Sequence, residues 1–332
     1  MSFISDFKKK HKTLTKNRTI RRIIIYLKRL VLPGFESVPF YNVMSFFVES
    51  LVNGIIFQRA AAMTYRILIA LIPMLMALFA AISFLDESLR IELLHLIETI
   101  VPDYTWPAIS GVIMDVVMNR NGLLLYSSFG IGLYMTVLCM NSIITSLNIT
   151  YFKIETRSVL RQLGTSLILT VCFGIILILG VSIFVGASLA INKLNITFFG
   201  SETIYAWTVK ILKWILLLVL VYILLSILFY FTPANKKYFR LFSAGSTFST
   251  IALVILLYAL NIYFYYFPTY NVIYGSIGAL FAISLWIYWS SIIILIGFDL
   301  NVSIYIAREK HQKEKTKGMT LKNVTNKENM QS

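Results

Sequence analysis

Residues 163–191 read LGTSLILTVCFGIILILGVSIFVGASLAI, a run of 29 residues without one charged side chain. An α-helix needs about 20 residues to cross the hydrocarbon core of a bilayer. Lipid offers the backbone no hydrogen-bond partners, so a spanning segment must satisfy its own N–H and C=O groups, which a helix does. Reading outward, comparable apolar runs lie at about 67–85, 123–149, 211–231, 241–267 and 276–306. The expectation is an all-α polytopic membrane protein with six transmembrane helices and additional amphipathic interfacial helices. Composition agrees. The 332 residues are 58% hydrophobic and only 14% charged, where a soluble domain carries about 25% charge.

The segments between these runs are different in kind. Residues 1–37 form a basic N-terminal segment, with a short surface helix expected at 20–32, where basic and apolar groups alternate. In 38–57, Asn42, Ser45, Glu49 and Asn53 recur every three or four residues and make one polar stripe. Glu49 argues against a full span there. Pro73 falls inside the first span and should kink or loosen it. Segment 86–121 carries Asp86, Glu87, Glu92, Glu98, Asp103 and Asp115 against Arg90 and Arg120. It reads as two external amphipathic helices with a turn at Pro102–Asp103 and Trp106–Pro107, one face formed by Ala108, Ile109, Val112, Ile113, Val116 and Val117. The membrane domain is thus bounded at 38–306, with a basic tail at 307–332.

Charge orients the set. The formal net charge is +15, but ten of the 30 basic residues lie between Lys8 and Arg29 and seven between Arg308 and Lys327. Short basic connections mark the cytoplasmic side. Lys153, Arg157 and Arg161 after span two, and Lys236, Lys237 and Arg240 after span four, therefore face the cytoplasm, as do both termini. The expected location is the bacterial inner (plasma) membrane. Membrane lipids are the expected partners, with anionic headgroups at the basic termini, and association with further copies of the chain is left open. Nucleic acid is not expected: no aromatic residue follows Tyr305 in the basic run. Ile20 to Leu32 is interrupted by four basic residues and lacks a small-residue cleavage site, so no secretory signal peptide is expected.

Ionisable groups within apolar runs are few, and each is a functional candidate by default. Asp299 lies near the end of span six, and Arg59 and Arg66 precede span one. Arg59 is a candidate partner for Asp299 or Glu49, and these three are the candidate polar anchors. Arg66 is read as snorkelling to the interface. Asn141, Ser142, Thr145 and Asn148 share a face of span two, as a pathway lining or as interhelical hydrogen bonds. The connection between spans five and six, with Tyr270, Asn271, Tyr274, Gly275, Ser276 and Gly278, is either a close-packing element or a substrate-contacting outer loop. Cys139 and Cys172 carry no disulfide or metal message. His11, His95 and His311 are dispersed, and no Walker A, HExxH or GxSxG sequence occurs. No catalytic residue, metal or cofactor is expected.

Several separated stretches resemble the YihY/BrkB family of bacterial inner-membrane proteins. Arg59-Ala60-Ala61-Ala62-Met63-Thr64-Tyr65, followed by Leu68 and Pro73, is similar to its RAAAxxY…LxxxxP signature. Leu147-Asn148-Ile149-Thr150-Tyr151 is similar to its LNxxY segment, and Phe231-Thr232-Pro233 to its aromatic-x-Pro end of span four. Tyr274-Gly275-Ser276-Ile277-Gly278, Trp286-Ile287-Tyr288 and Gly297-Phe298-Asp299-Leu300-Asn301 resemble YGSLG…LWLY…GAELN. Asp299 stands where glutamate is usual, and Arg66 where an aromatic or small residue is common. The resemblance implies a six-helix inner-membrane fold without a settled activity. Members have carried a ribonuclease label, and others have been linked to virulence or to envelope lipid transport.

The resulting expectation is a transporter, flippase or channel for an envelope component or lipid, its transported substrate unidentified, with Arg59 and Asp299 as polar anchors. The alternative is a non-transporting scaffold or regulator. An intramembrane enzyme or ribonuclease comes third.

Overall fold

The computed structural model describes Tyr26 and residues 39–53, 55–100, 106–149, 157–198, 202–234, 241–266 and 269–331. Side chains at 181–210, 264–280 and 314–331, and at a few scattered positions, lie outside that description. The expected surface helix at 20–32, apart from Tyr26, and the turn at 101–105 also lie outside it.

The described chain is helical throughout: α1 (Phe40–Asn53), α2 (Ile56–Ile82), α3 (Glu87–Ile100), α4 (Trp106–Met118), α5 (Gly122–Asn148), α6 (Val159–Phe198), α7 (Glu202–Phe231), α8 (Ala244–Tyr266) and α9 (Thr269–Gln331). Among the described residues, five helices are long and apolar enough to cross a membrane, in α2, α5, α6, α7 and α9. A shorter apolar stretch, Ala244–Leu260, lies in α8. Side chains such as Leu123, Leu160, Ile178 and Tyr258 are largely exposed on these helices. So much contiguous apolar surface is what lipid, not water, would cover.

Several boundaries differ from expectation. The first spanning helix begins at Ile56, eleven residues before 67. The Arg59–Tyr65 stretch is therefore its first turns and not a separate approach to it. The helical periodicity simply runs on, because Arg59 and Arg66 do not interrupt hydrogen bonding. The break falls instead at Ile55, whose φ of 44° and ψ of 40° are left-handed. That conformation costs an L-residue roughly 1–2 kcal/mol. Residues 269–274, expected as a connection, already belong to α9, which runs on through the basic tail to Gln331. In α4, Trp106 and Pro107 open the helix where a turn was expected; proline is tolerated in a first turn because its missing N–H has no partner there. Ile113, Val116 and Val117 are buried as expected, but Val112 is 60% exposed, since it lies one residue off the face set by the other three.

The packing order of the long helices is a closed cycle: α2 on α5, α5 on α6, α6 on α7, α7 on α8, α8 on α9, and α9 back on α2. The main core lies inside it, built from Ala60 and Met63 of α2, Ile144 and Leu147 of α5, Leu169 of α6, Phe229 of α7, and Leu295, Phe298 and Val302 of α9. Phe229 and Phe298 meet edge to face, with centroids 5.6 Å apart.

The α8–α9 contact requires glycine at two positions. A Cβ on Gly297 would run into Ser249 Oγ and stand 2.8 Å from Gly245 O; one on Gly245 would run into Gly297 O. Backbones here approach more closely than side chains permit, the mode of helix association that lipid favours. Helices α3 and α4 pack with the end of α2 through Ile82, Leu94, Ile113 and Val117. Helix α1 lies on α9 through Val43, Ile304 and Ala307.

Candidate functional site

Arg59 lies on the first turn of α2 and Asp299 in the middle of α9, and the α2–α9 packing brings them together. Arg59 Nη1 is 3.2 Å from Asp299 Oδ2, and Nη2 donates to Oδ1 at 3.3 Å. This two-pronged pairing suits the planar guanidinium. Arg59 is 3% exposed and Asp299 0%. Ser50 of α1 donates its hydroxyl to Asp299 Oδ2 at 3.1 Å. Arg59 Nε donates to Ser146 O at 2.7 Å, at the end of α5. Four helices thus converge on one ion pair. The carbonyls it takes up belong to the last turn of α5, where helical carbonyls have no partner within the helix. Ser303 donates back to Asp299 O at 2.7 Å, so the carboxylate stands on a hydrogen-bonded turn.

Of the two acids considered for Arg59, Asp299 makes the described ion pair. Glu49 lies half-buried one residue before Ser50. Ser50 itself was missed in the sequence, although it adjoins the polar stripe of α1.

The polar face of α5 divides in two. Asn141, Ser142 and Thr145, with Leu138, line a cleft of about 230 Å³ whose remaining wall is Arg66 of α2. Gln162 of α6 donates to Asn141 Oδ1 at 2.8 Å and to Thr145 Oγ1 at 2.7 Å. Arg66 has no hydrogen bond or ion pair among the described residues. It lies seven residues beyond Arg59, about 10 Å further along the helix. Asn148 is not part of this cleft. Its amide donates to Thr232 O at 3.3 Å, just beyond α7.

Asn148 is joined there by Arg157, read in the sequence only as an orienting charge. Its guanidinium donates to Phe231 O at 3.0 Å, Thr232 O at 3.4 Å and Pro233 O at 2.7 Å. A cation over the exit of a helix satisfies orphan carbonyls and opposes the negative end of the macrodipole. Partial burial draws the Arg157 pKa below its ordinary value, yet arginine stays protonated in proteins. On α9, Asn301 accepts from Gly245 N at 2.8 Å and donates to Ser243 Oγ at 2.9 Å, fixing the entry of α8.

The side chains of Tyr270, Asn271, Tyr274 and Ser276, and the surroundings of Gly275 and Gly278, lie outside the described residues. Among the described residues, no group of three or more His, Cys, Asp or Glu side chains comes together.

The profile of the Virulence factor BrkB family matches residues 47–319. The ribonuclease-like protein YfkH of Bacillus subtilis is 29% identical over 252 residues, 75% of this chain and 90% of that protein. A UPF0761 membrane protein of Coxiella burnetii is 26% identical over 246 residues, 72% of this chain and 84% of the relative. Another, of Aggregatibacter aphrophilus, is 25% identical over 248 residues, 73% and 84% respectively. No solved structure matches significantly.

Proposed function

The chain belongs to the Virulence factor BrkB family of membrane proteins, and from that premise we propose that it carries an amphipathic, anionic envelope component, such as a lipid, through the membrane. The observation that carries this reading is Arg66. It is a cation within an apolar helix, bordering a cleft lined by Asn141, Ser142 and Thr145, with no ion-pair partner among the described residues. Ionisable groups within a span are expensive, and those facing a polar cavity mark pathways. The cleft suits a charged headgroup, and the apolar faces of α2 and α5 suit its tails. Arg59 and Asp299 serve this reading as the fixed end about which α2 is held, not as substrate contacts, because each already spends its donors or acceptors on protein partners. The polypeptide would sit in the inner (plasma) membrane with both termini cytoplasmic and the acidic 86–121 segment outside. The basic segments at 1–37 and 307–332 would flank the 38–306 membrane domain.

Reconstitution in liposomes with lipid-scrambling and ion-flux assays tests the proposal. Arg66→Gln and Thr145→Val should slow lipid movement, while Glu98→Gln in the outer segment should not. Unchanged rates in the first two variants would remove the cleft from the pathway.

A second reading is a non-transporting scaffold. The closed packing around Arg59 and Asp299, which ties four helices together, favours it. Absence of flux by the unaltered protein, with the fold intact, would select this reading. A nuclease activity, suggested by the name of the Bacillus subtilis relative, has less support, because the described residues gather no group of three or more His, Cys, Asp or Glu that could hold a catalytic metal.

A further inference from the structure

We propose that the recess between α1 and the basic stretch of α9 is a binding site for a phosphate group. It is lined by Asn42, Ser45 and Phe46 of α1 and by Ala307, Lys310 and His311 of α9, and encloses about 180 Å³. That is several times the roughly 30 Å³ share of one water, enough for a tetrahedral anion. Its walls are held in fixed relation by the Val43, Ile304 and Ala307 cluster, with Phe40 and Phe46 packed against it.

The lining is rich in donors. Asn42 offers an amide, His311 a ring N–H and Lys310 an ammonium group. Ser45 donates its hydroxyl to Asn42 O at 2.8 Å and would exchange that bond for one to an anion. Among the described residues, no carboxylate lines the recess. Lys310 Nζ stands 5.7 Å from the Phe46 ring centroid, a cation–π contact that keeps the ammonium over the recess. The neighbouring Glu309 is directed elsewhere, pairing with Lys313 at 2.7 Å. Charge-assisted hydrogen bonds from such a set are the ones that hold phosphate.

Depth indicates the source. Up to Ile306 helix α9 carries Asp299 as its one charged side chain, paired with Arg59, and beyond it come Arg308, Lys310 and Lys313. This transition is where a spanning helix leaves hydrocarbon and meets headgroups, so the phosphate of an anionic lipid lies at the height of the recess. A free phosphate anion would offer the same chemistry. The inference is independent of transport through the Arg66 cleft, which lies on other helices.

Two arms test it. In the first, full-length protein in phosphatidylcholine nanodiscs is cross-linked with a phosphatidylglycerol that carries a photoactivatable headgroup, and the adducts are mapped. They should concentrate in residues 42–46 and 307–311. A Lys310→Gln/His311→Gln variant should lower them by about fivefold or more, given about 1 kcal/mol per cation near an anionic surface. Lys313→Gln should leave them unchanged. In the second arm, inorganic phosphate is added to protein in phosphatidylcholine-only nanodiscs and the unfolding midpoint is read. A rise that the double variant abolishes assigns the site to a free anion. Adduct enrichment assigns it to lipid. Adducts of the unaltered protein spread without enrichment, together with an unmoved midpoint, overturn the proposal, and that result does not depend on any variant folding.

Discussion

Arg59 and Asp299 are 240 residues apart in the chain and 3.2 Å apart in the fold. Both are buried, Asp299 completely. Removing two charges from water costs several kcal/mol per ion, repaid only when geometry and further hydrogen bonds are good. Here Ser50 and the carbonyl of Ser146 supply those bonds.

Breaking that pair should therefore be costly in one direction and mild in another. Arg59→Ala or Asp299→Asn alone leaves an uncompensated buried group and should lower stability by about 3–5 kcal/mol. The double replacement Arg59→Met/Asp299→Leu should recover most of that loss. Thermal unfolding of detergent-solubilised protein measures both. Equal loss in the single and double variants would show that the pair contributes more than mutual neutralisation.

Arg157 should resist conservative exchange. A lysine places one point charge where the guanidinium reaches three carbonyls. Arg157→Lys should cost roughly 1–3 kcal/mol in the same unfolding assay. Arg161→Lys, at an exposed position, should cost almost nothing.

The glycines separate by surroundings. Gly245→Ala and Gly297→Ala meet backbone or a short serine side chain from the opposing helix, which cannot move aside cheaply. Both should destabilise strongly or prevent folding. Gly130 and Gly174 have open space around a Cβ. Alanine there should be neutral or stabilise by about 0.5–1 kcal/mol, because glycine weakens a helix. Comparative expression and unfolding midpoints would show the division.

Ile55 gives the opposite kind of test. It holds φ at 44°, and its side chain is mostly exposed. Ile55→Gly should raise the unfolding midpoint by relieving roughly 1 kcal/mol of backbone strain. Ile55→Val should not. A fall in the glycine variant would mean that the side chain anchors the turn.

Much of this protein is written in one-dimensional pattern. Long uncharged runs, read against the thickness of a bilayer, pointed to an all-helical membrane protein, and helical spacing separated the shorter 86–121 helices from the long apolar ones, while the helix starts at Ile56 and Thr269 were not legible in them. Such features are local: a helix in lipid satisfies its own backbone, so its existence needs no information about its neighbours. The scarcity of charge in these runs also singled out Arg59 and Asp299.

The tertiary structure decided which partners those residues meet. Sequence could not show that Arg59 meets Asp299. It also could not reveal that Ser50 would complete the pair, that Arg157 would close the exit of α7, or that Asn148 would part company with Asn141. Each outcome depends on how α9 returns to α2, a long-range packing set by small residues and interlocking side chains. No periodicity along a single helix records that arrangement, because it exists only once separate helices have come into contact.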